Sequence, residues 1–155
     1  MKSKVLLNDV VYLDKGFLIS TDKSLLNKDF IYNFLTNQSY WAKGIPIEKV
    51  EIAINESICF GVYHHRQQVG FARVISDKST FAYLADVFII DEYRKQGLSK
   101  WLMQTIMAHI DFQSLRRWML ATADAHELYE KFGFEPLNAA NRWMQIFTPY
   151  QKMES

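Results

Sequence analysis

The chain has 155 residues, of which 49% are hydrophobic and 15% aromatic, and its formal net charge is +1. This length and composition predict a single domain over residues 1–155 with one sizeable core. The small net charge argues against nucleic acid and membrane surfaces as partners, and no apolar stretch is long enough for a membrane span. The single cysteine, Cys59, excludes an intramolecular disulfide, and Asn8 and Asp9 interrupt the first apolar run too early for a secretory signal. We therefore expect a cytoplasmic protein.

The first third of the chain predicts an extended segment followed by two helices. Residues 10–19 favour one strand or a pair of short strands. A helix then follows, capped by Thr21 or Asp22, with an apolar face at helical spacing and an end near Asn37. Residues 39–46, SYWAKGIP, are typical of a loop, and Pro46 can open a second short helix.

The middle of the chain predicts three strands in succession. Residues 57–63 and 69–76 are rich in β-formers and are joined by the polar turn HHRQQ, which indicates a hairpin. DKST is a second turn, and residues 81–90 form the third extended run. Three strands joined by short turns predict an antiparallel meander.

The last third predicts a helix, a parallel strand and a closing region. Apolar residues after Gly97 follow helical spacing, and residues 118–122 read as a short buried strand. A strand–helix–strand crossover of this length implies parallel pairing with residues 81–90. Asp124 and Glu127 have capping-box spacing for a short helix to about residue 132, and Phe134 and residues 143–147 would be closing strands. The predicted class is α+β, or mixed α/β, with a mostly antiparallel sheet that turns parallel in its middle.

The junction after residues 81–90 predicts an anion site. The stretch DEYRKQGLSKWL changes from extended chain to helix at Gly97, and the first turn of a helix presents backbone N–H groups with no partner inside the helix. Arg94 and Lys95 add positive charge to the helix dipole, and Gly97 lets a ligand approach the backbone. A phosphate or diphosphate suits this site; the alternative is a basic turn that binds nothing. The spacing differs from that of a P-loop and from G-x-G-x-x-G.

Two stretches of the chain resemble motifs of the GCN5-related N-acetyltransferases (GNAT). DVFIIDEYRKQGLSKWLMQTI is similar to the family motif [QR]-x-x-G-x-[GA] through Arg94, Gly97 and Ser99. ATADAHELYEKFGFEPL is similar to the closing motif, in which a helix carries a tyrosine before a Gly-Phe strand. The order of elements agrees over nearly the whole chain. Ser99 stands where glycine or alanine is usual, and Lys95 replaces a frequent glycine, so the loop is less free but more basic.

The resemblance implies acetyl-CoA as co-substrate, with no metal, and a GNAT-like sheet with splayed middle strands. The diphosphate of acetyl-CoA would bind the first turn of the helix that begins after Gly97. The pantetheine arm of acetyl-CoA would pair with the strand at residues 81–90 like an added strand. The splayed strands would be residues 81–90 and 118–122, and this fold often has a β-bulge in the first of them. The cofactor-binding residues implied are Val87, Phe88, Ile89, Arg94, Lys95, Gln96, Gly97, Leu98 and Ser99.

The resemblance also implies Tyr129 as the proton donor to the departing thiolate. A tyrosine hydroxyl has a pKa of ~10, so it can donate its proton only if the thiolate is close and poorly solvated. The alternative is an aromatic side chain that only packs the last helix onto the sheet. His126 lies three residues before Tyr129, so both can share one side of that helix, and its imidazole is a candidate proton relay. The alternative for His126 is a surface residue of the first helical turn.

Asp86 is the candidate general base. Strand alternation predicts that it shares a face with Leu84 and Phe88, opposite Ala85. Some relatives in the family carry a glutamate at this position. The alanine that this chain has there, Ala85, cannot act as a base. Water chains or a structural hydrogen bond of Asp86 are the alternatives.

Acceptor residues in this fold come from the first helix–loop–helix and the central hairpin, so Tyr40, Trp41 and Arg73 are candidates. A Tyr–Trp pair in a loop is more often a plug over the core. His64 and His65 have no neighbouring ligands at metal spacing, which argues against a metal site. Cys59 reads as a small core residue in a strand.

These observations predict an N-acetyltransferase that acts on a primary amine of a small molecule or peptide. Two alternatives stay open: an acyl-CoA-binding sensor without catalysis, which the missing carboxylate at Ala85 favours, and a structural relative that binds nothing. Aromatic residues near Trp143, Phe147 and Tyr150 permit a homodimer through closing strands, which such folds often use.

Overall fold

A computed structural model describes residues 7–150 of the chain, so the two ends of the predicted 1–155 domain lie outside the described residues. The helices are α1 Leu7–Asp14, α2 Lys28–Asn37, α3 Ile47–Asn55, α4 Leu98–Met107 and α5 His126–Glu130. The strands are β1 Phe17–Ser20, β2 Ile58–His64, β3 Gln67–Ser76, β4 Phe81–Ile89 and β5 Arg117–Met119. Within residues 7–150, no helix is long and apolar enough to cross a membrane.

The five strands form one sheet in the order β1-β2-β3-β4-β5. The first four pair antiparallel, and β5 pairs parallel with β4, as the α4 crossover predicts. The predicted meander, the parallel pairing and the α+β class are therefore confirmed. The fifth strand is shorter than the predicted residues 118–122, and its residues are only partly buried because it lies at the sheet edge. One apolar cluster fills the space between the sheet and α4, and a second lies between the other sheet face and the helices α2 and α3.

The chain before β1 differs from the prediction, because residues 7–14 form helix α1 rather than a strand. Val10, Val11 and Leu13 suggested an extended segment, yet each is about half exposed. The helix instead places Asp9 and Tyr12 on one side. There, Tyr12 stacks on Trp101 of α4 with ring centroids 4.5 Å apart, and Asp9 accepts a 2.8 Å hydrogen bond from Trp101 Nε1. A tertiary contact thus overrides local β propensity.

The predicted helix after Asp22 is two separate elements. A 3₁₀ turn, Lys23–Leu25, is capped by Asp22, and α2 is capped anew by Asn27, whose side chain accepts from the Phe30 N–H. Side chains of this kind compete with helical backbone bonds, which divides the segment. Leu25, which would lie on the apolar face of one continuous helix, is consequently 48% exposed.

The chain after β5 also differs from the prediction. The capping box at Asp124 is wrong: Thr122 Oγ1 accepts from the Ala125 N–H at 3.0 Å, and α5 starts without a side-chain cap. The closing strands at Phe134 and residues 143–147 are also wrong, since this part of the described chain has only a 3₁₀ turn, Ala140–Arg142. Residues 141–150 are exposed throughout, and they pair with no described strand.

Candidate active site

A cleft opens where β4 and β5 stop pairing. The last pair in register is Tyr83 with Met119, and the two chains diverge beyond it. The cavity between them has a volume of about 160 Å³. It is lined by Tyr40, Trp41, Tyr83, Leu84, Ala85, Asp86, Val87, Leu120, Ala121, Thr122, Asp124, Ala125 and Tyr129. The cleft thus brings together Tyr129, Asp86 and the adjacent pair Tyr40 and Trp41 from three separate parts of the sequence.

A β-bulge in β4 accompanies this divergence. Phe71 of β3 pairs with Phe88 and Arg73 pairs with Ala85, so one residue of β3 faces two residues of β4. Asp86 is in the bulge with φ at +55°, a conformation that few residues other than glycine adopt. Because a bulge bends its strand, β4 leaves the parallel register with β5 at this point.

The bulge corrects the predicted faces of β4. Leu84 packs in the α4 cluster, whereas Phe88 packs in the cluster under α2 and α3, so the two residues lie on opposite faces. Strand alternation placed them together because it assumes an unbroken pleat. Asp86 is on the α2 side, where its partner Trp41 contacts Phe34, which in turn stacks on Phe88 at 3.8 Å.

The Asp86 carboxylate is held by two donors from different elements. Arg73 Nε donates to one oxygen at 2.8 Å, and Trp41 Nε1 donates to the other at 2.9 Å. The ion pair is well shielded, with side-chain exposures of 16% for Arg73 and 10% for Asp86. Arg73 also donates to Ser57 Oγ at 3.1 Å. Arg73 therefore anchors Asp86, and it is not among the residues that line the cleft.

Tyr40 and Trp41 connect the two walls of the cleft. Trp41 bonds to Asp86 on β4, while Tyr40 Oη accepts a 2.8 Å hydrogen bond from the Ala123 N–H in the chain after β5. Their rings meet edge to face at 5.1 Å. Tyr40 is 57% exposed and Trp41 38% exposed, so the pair lies across the mouth of the cleft and does not plug the core.

Tyr129 lies at the inner end of the cleft and is only 8% exposed. Burial raises the pKa of its hydroxyl to about 12, with smaller contributions from Tyr40 and Asp124. The phenol is therefore protonated at any physiological pH and can act as a hydrogen-bond donor. His126, at the exposed start of α5, does not line this cleft; it meets Tyr129 at a neighbouring cavity of about 310 Å³.

The loop between β4 and α4 has the geometry of an anion site. Gly97 is the N-cap of α4 at φ +80°, and no side chain caps the helix, so its first-turn N–H groups are open to a ligand. Arg94 is turned toward the protein: Nε donates to Ile89 O at 3.0 Å, and Nη1 pairs with Asp91 at 2.8 Å. The side chain of Arg94 therefore braces the loop, and the backbone faces outward.

Tyr12 supports the same loop, a role that the sequence patterns did not predict. Its hydroxyl donates to Gln96 O at 2.8 Å, and a Cβ on Gly97 would lie 2.5 Å from the Tyr12 hydroxyl oxygen. The residue lies 84 positions before Gln96, in a segment with strand-like composition. No local signal in the sequence could have indicated this contact.

The remaining candidates lie away from the cleft. Cys59 is 1% exposed, and burial raises the pKa of its thiol to about 11, which leaves it unreactive in the folded chain. His64 Nδ1 is 3.0 Å from the Tyr93 hydroxyl, and Phe17 stacks on its ring. Among residues 7–150, no group of three or more metal-binding side chains comes together.

The chain belongs to the GNAT acetyltransferase family. The sequence profile of the acetyltransferase (GNAT) domain matches residues 55–136, from the end of α3 to the segment after α5. This span holds β4, β5 and Tyr129, which line the cleft or form its walls, together with the loop at Gly97 and α4.

Individual relatives agree with this assignment. A protein of Gibberella zeae that carries an acetyltransferase name is 34% identical over 135 residues, covering 74% of this chain and 76% of the relative. A GNAT-family crystal structure from Xanthomonas campestris pv. campestris is 48% identical with a TM-score of 0.84, covering 86% of this chain and 94% of that one. An Elizabethkingia anophelis GNAT acetyltransferase with acetyl-CoA bound shares the fold at 12% identity and a TM-score of 0.59, covering 79% of this chain and 78% of that one.

Proposed function

We propose that this protein transfers an acetyl group from acetyl-CoA to a primary amine of a small molecule or peptide, by direct attack of the amine. The observation that carries the proposal is the cleft between the bulged β4 and β5, with buried Tyr129 lining it and the uncapped start of α4 following β4. Family membership supplies the reaction class. The single, buried cysteine is consistent with our placing the reaction in the cytoplasm.

The residues present fit acetyl-CoA. The open N–H groups after Gly97 suit a diphosphate, and the left-handed Lys95 and Gly97 turn the backbone toward it. No described strand pairs with β4 beyond Tyr83 on its β5 side. We propose that backbone groups of Val87, Phe88 and Ile89 bind the pantetheine amides, except the Ile89 carbonyl, which accepts from Arg94. The diphosphate residues are Arg94, Lys95, Gln96, Gly97, Leu98 and Ser99, with Arg94 acting as a brace.

The chemistry needs a proton for the departing sulfur and a way to remove one from the amine. Acetyl-CoA supplies the activated acetyl group and its thiol leaving group. Tyr129 donates a hydrogen bond toward the sulfur, and with a pKa of about 12 it gives up the proton only where water is excluded. A backbone N–H of Phe88 or Ile89 stabilises the developing oxyanion.

Asp86 is the proposed proton acceptor, acting through water. Among the described residues that line the cleft, the carboxylates are Asp86 and the exposed Asp124. Arg73 and Trp41 fix the Asp86 carboxylate in place, so it can orient a water molecule toward the amine. His126 is proposed to return a proton to Tyr129 from solvent through the cavity that the two share.

A second candidate is an acyl-CoA-binding sensor without catalysis. The feature that favours it is Ala85 in the cleft wall, together with the fact that both Asp86 oxygens already have protein partners. Such a sensor would bind CoA through the Gly97 loop and leave amines unchanged.

Calorimetric titration with acetyl-CoA and, separately, with CoA tests the shared part of both candidates. We expect saturable binding of both ligands, in the micromolar range that is usual for substrates. A panel of small amines and short peptides, with detection of released thiol, then separates them: amine-dependent release supports the transferase, and binding without release supports the sensor. No binding of either ligand would contradict both.

A further inference from the structure

The charged side chains along the cleft between β4 and β5 are all acidic. Among the described residues that line it, they are Asp86 and Asp124, and no lysine or arginine joins them. Arg73 offsets the charge of Asp86 through the 2.8 Å ion pair, from outside the cleft lining. Asp124 is exposed, and within residues 7–150 its carboxylate forms no ion pair. One negative charge at the cleft therefore has no counter-charge from the described chain.

Asp124 lies where the cleft meets a second depression, at the start of α5. That depression has a volume of about 650 Å³ and is lined by residues 123–128 and Lys131. Asp124 and Ala125 line both spaces, so a ligand that extends from one into the other passes the Asp124 carboxylate. Besides His126, the charged side chains of the depression are Asp124, Glu127 and Lys131, so that carboxylates outnumber ammonium groups there.

Two exposed aromatic rings lie beside Asp124. Tyr40 is 57% exposed and Trp41 38%, and Tyr40 Oη accepts from the N–H of Ala123, the residue before Asp124. The face of an aromatic ring attracts cations, as a carboxylate does. The rings and the carboxylate therefore favour an ammonium group at this end of the cleft, and they disfavour a carboxylate or a phosphate.

The cleft is also narrow. Its volume of about 160 Å³ is below the roughly 300 Å³ at which sites for drug-sized ligands begin. The thioester end of acetyl-CoA and the reacting amine would share this space, and the contact of Tyr40 with Ala123 crosses its mouth. An unbranched alkyl chain fits these limits, whereas a ring or a branch next to the amine does not.

We propose that the acceptor is a slender, unbranched diamine whose far ammonium group binds Asp124 and the ring faces of Tyr40 and Trp41. This inference rests on the proposed function and names its substrate class. The transfer itself is unchanged: the near nitrogen bonds to the acetyl carbon, the carbon–sulfur bond breaks, and the proton lost by the nitrogen balances the departing thiolate. The far ammonium group keeps its proton throughout, so Asp124 acts on specificity and takes no part in the bond changes.

The first test is a series of unbranched five-carbon amines that differ only at the far end. Pentylamine ends in a methyl group, diaminopentane in a second ammonium group and aminopentanoate in a carboxylate. We expect kcat/KM per amine group, measured by thiol release, to be about tenfold higher for diaminopentane than for pentylamine. Aminopentanoate should be the poorest substrate of the series. Equal values for diaminopentane and pentylamine would overturn the inference and leave the transferase proposal standing.

Two neighbouring lysines of a peptide offer the same chemistry as a free diamine. Dilysine with both ends blocked is therefore measured beside diaminopentane. We expect the free diamine to be the better substrate, because the contact across the mouth of the cleft leaves little room for a peptide backbone. A higher kcat/KM for the blocked dilysine would contradict the assignment of a free diamine.

The second test changes the charge at Asp124 and follows the ratio of the two kcat/KM values. Asp124→Asn should lower the preference for diaminopentane over pentylamine to about threefold, the part left to the aromatic rings. Asp124→Lys should raise aminopentanoate above diaminopentane. An effect of either variant on Tyr129 acts on every amine alike and leaves the ratio unchanged. Glu51→Gln on α3 removes an exposed carboxylate outside both depressions and is the matched control, which should keep the tenfold preference.

The Asp124 side chain is exposed, so both variants should keep the circular dichroism spectrum of the fold. A preference that is the same in Asp124→Asn as in the natural protein would contradict the role of this residue.

The third test measures acceptor binding without turnover. Diaminopentane and pentylamine are titrated by calorimetry into the protein saturated with CoA, which carries no acetyl group. We expect diaminopentane to bind about tenfold more tightly, and this advantage should shrink as sodium chloride rises from about 0.05 to about 0.5 M. Tighter binding of the diamine without thiol release from acetyl-CoA would support the charge assignment and contradict the transfer reaction. Equal affinities for the two amines would overturn the inference whether or not thiol is released.

Discussion

The two walls of the cleft differ in how they are held. β4 is a nine-residue strand paired along most of its length with β3, and its Asp86 is fixed by Arg73 and Trp41. β5 has three residues, lies at the sheet edge, and continues into a loop that Tyr40 contacts at Ala123. The β4 wall is therefore preorganised by the single chain. The β5 wall depends on contacts from elsewhere in the chain, such as that of Tyr40 with Ala123.

Because of this difference, we expect the two walls to have different functions. A rigid wall is suited to binding a long co-substrate, because little conformational entropy is lost when the ligand binds. A wall completed by a loop can accommodate the acceptor and exclude water. The following predictions test this division.

The largest expected effect is at the diphosphate loop of the β4 wall. Gly97→Glu places a carboxylate where a diphosphate would bind and a Cβ 2.5 Å from the Tyr12 hydroxyl. We expect CoA affinity, measured by calorimetry, to fall by about 1,000-fold, roughly 4 kcal/mol. Gly97→Ala, which has the same backbone strain without the charge, is the control and should bind more tightly than the glutamate variant. Equal affinities for the two would mean that no anion binds there.

The next effect concerns Tyr129, between the two walls. Tyr129→Phe should lower turnover by about 100-fold and leave CoA affinity unchanged, because the ring stays while the proton donor is lost. Since the raised pKa keeps the hydroxyl protonated, turnover of the natural enzyme should not fall through Tyr129 ionisation below about pH 10. Steady-state kinetics across pH measure both. Tyr32→Phe on α2 is the control. A loss of turnover of the same size in that variant would mean that the effect is not specific to Tyr129.

A smaller effect is expected at the anchor of the β4 wall. Asp86→Asn leaves the shielded Arg73 guanidinium without its counter-charge, which should lower the free energy of unfolding by about 2–3 kcal/mol. Asp111→Asn is the matched control, because its partner Lys78 is 56% exposed and 3.7 Å away, and about 0.5 kcal/mol or less is expected. Urea unfolding measures both. Equal losses of unfolding free energy in the two variants would show that burial of the Asp86–Arg73 pair adds nothing to stability.

The smallest effect tests the support that α1 gives to the loop. Tyr12→Phe removes the hydrogen bond to Gln96 O and keeps the stack on Trp101. We expect CoA to bind about fivefold more weakly, which corresponds to the roughly 1 kcal/mol of one hydrogen bond. Calorimetry with CoA gives the result, and Tyr150→Phe, in the exposed segment, serves as the control. Unchanged affinity would mean that the loop holds its shape without Tyr12.

Sequence alone determined the parts of this protein in which local pattern and tertiary environment agree. The β2–β3–β4 meander, the α4 crossover and the glycine that opens α4 follow from strand composition, turn residues and helical spacing. The Gly97 loop and Tyr129 lie in the motifs that carried the resemblance, and the family assignment agrees with them.

Tertiary structure decided the rest, because those features depend on contacts between residues distant in sequence. Residues 7–14 form a helix since Tyr12 and Asp9 meet Trp101, more than 80 positions away. The bulge at Asp86 reversed the faces of β4, since a single inserted residue breaks the two-residue period and leaves no mark on the apolar pattern. Residues 143–147 have the composition of a strand, yet a strand forms only where an edge is available to pair with, and the single chain does not bring them to one.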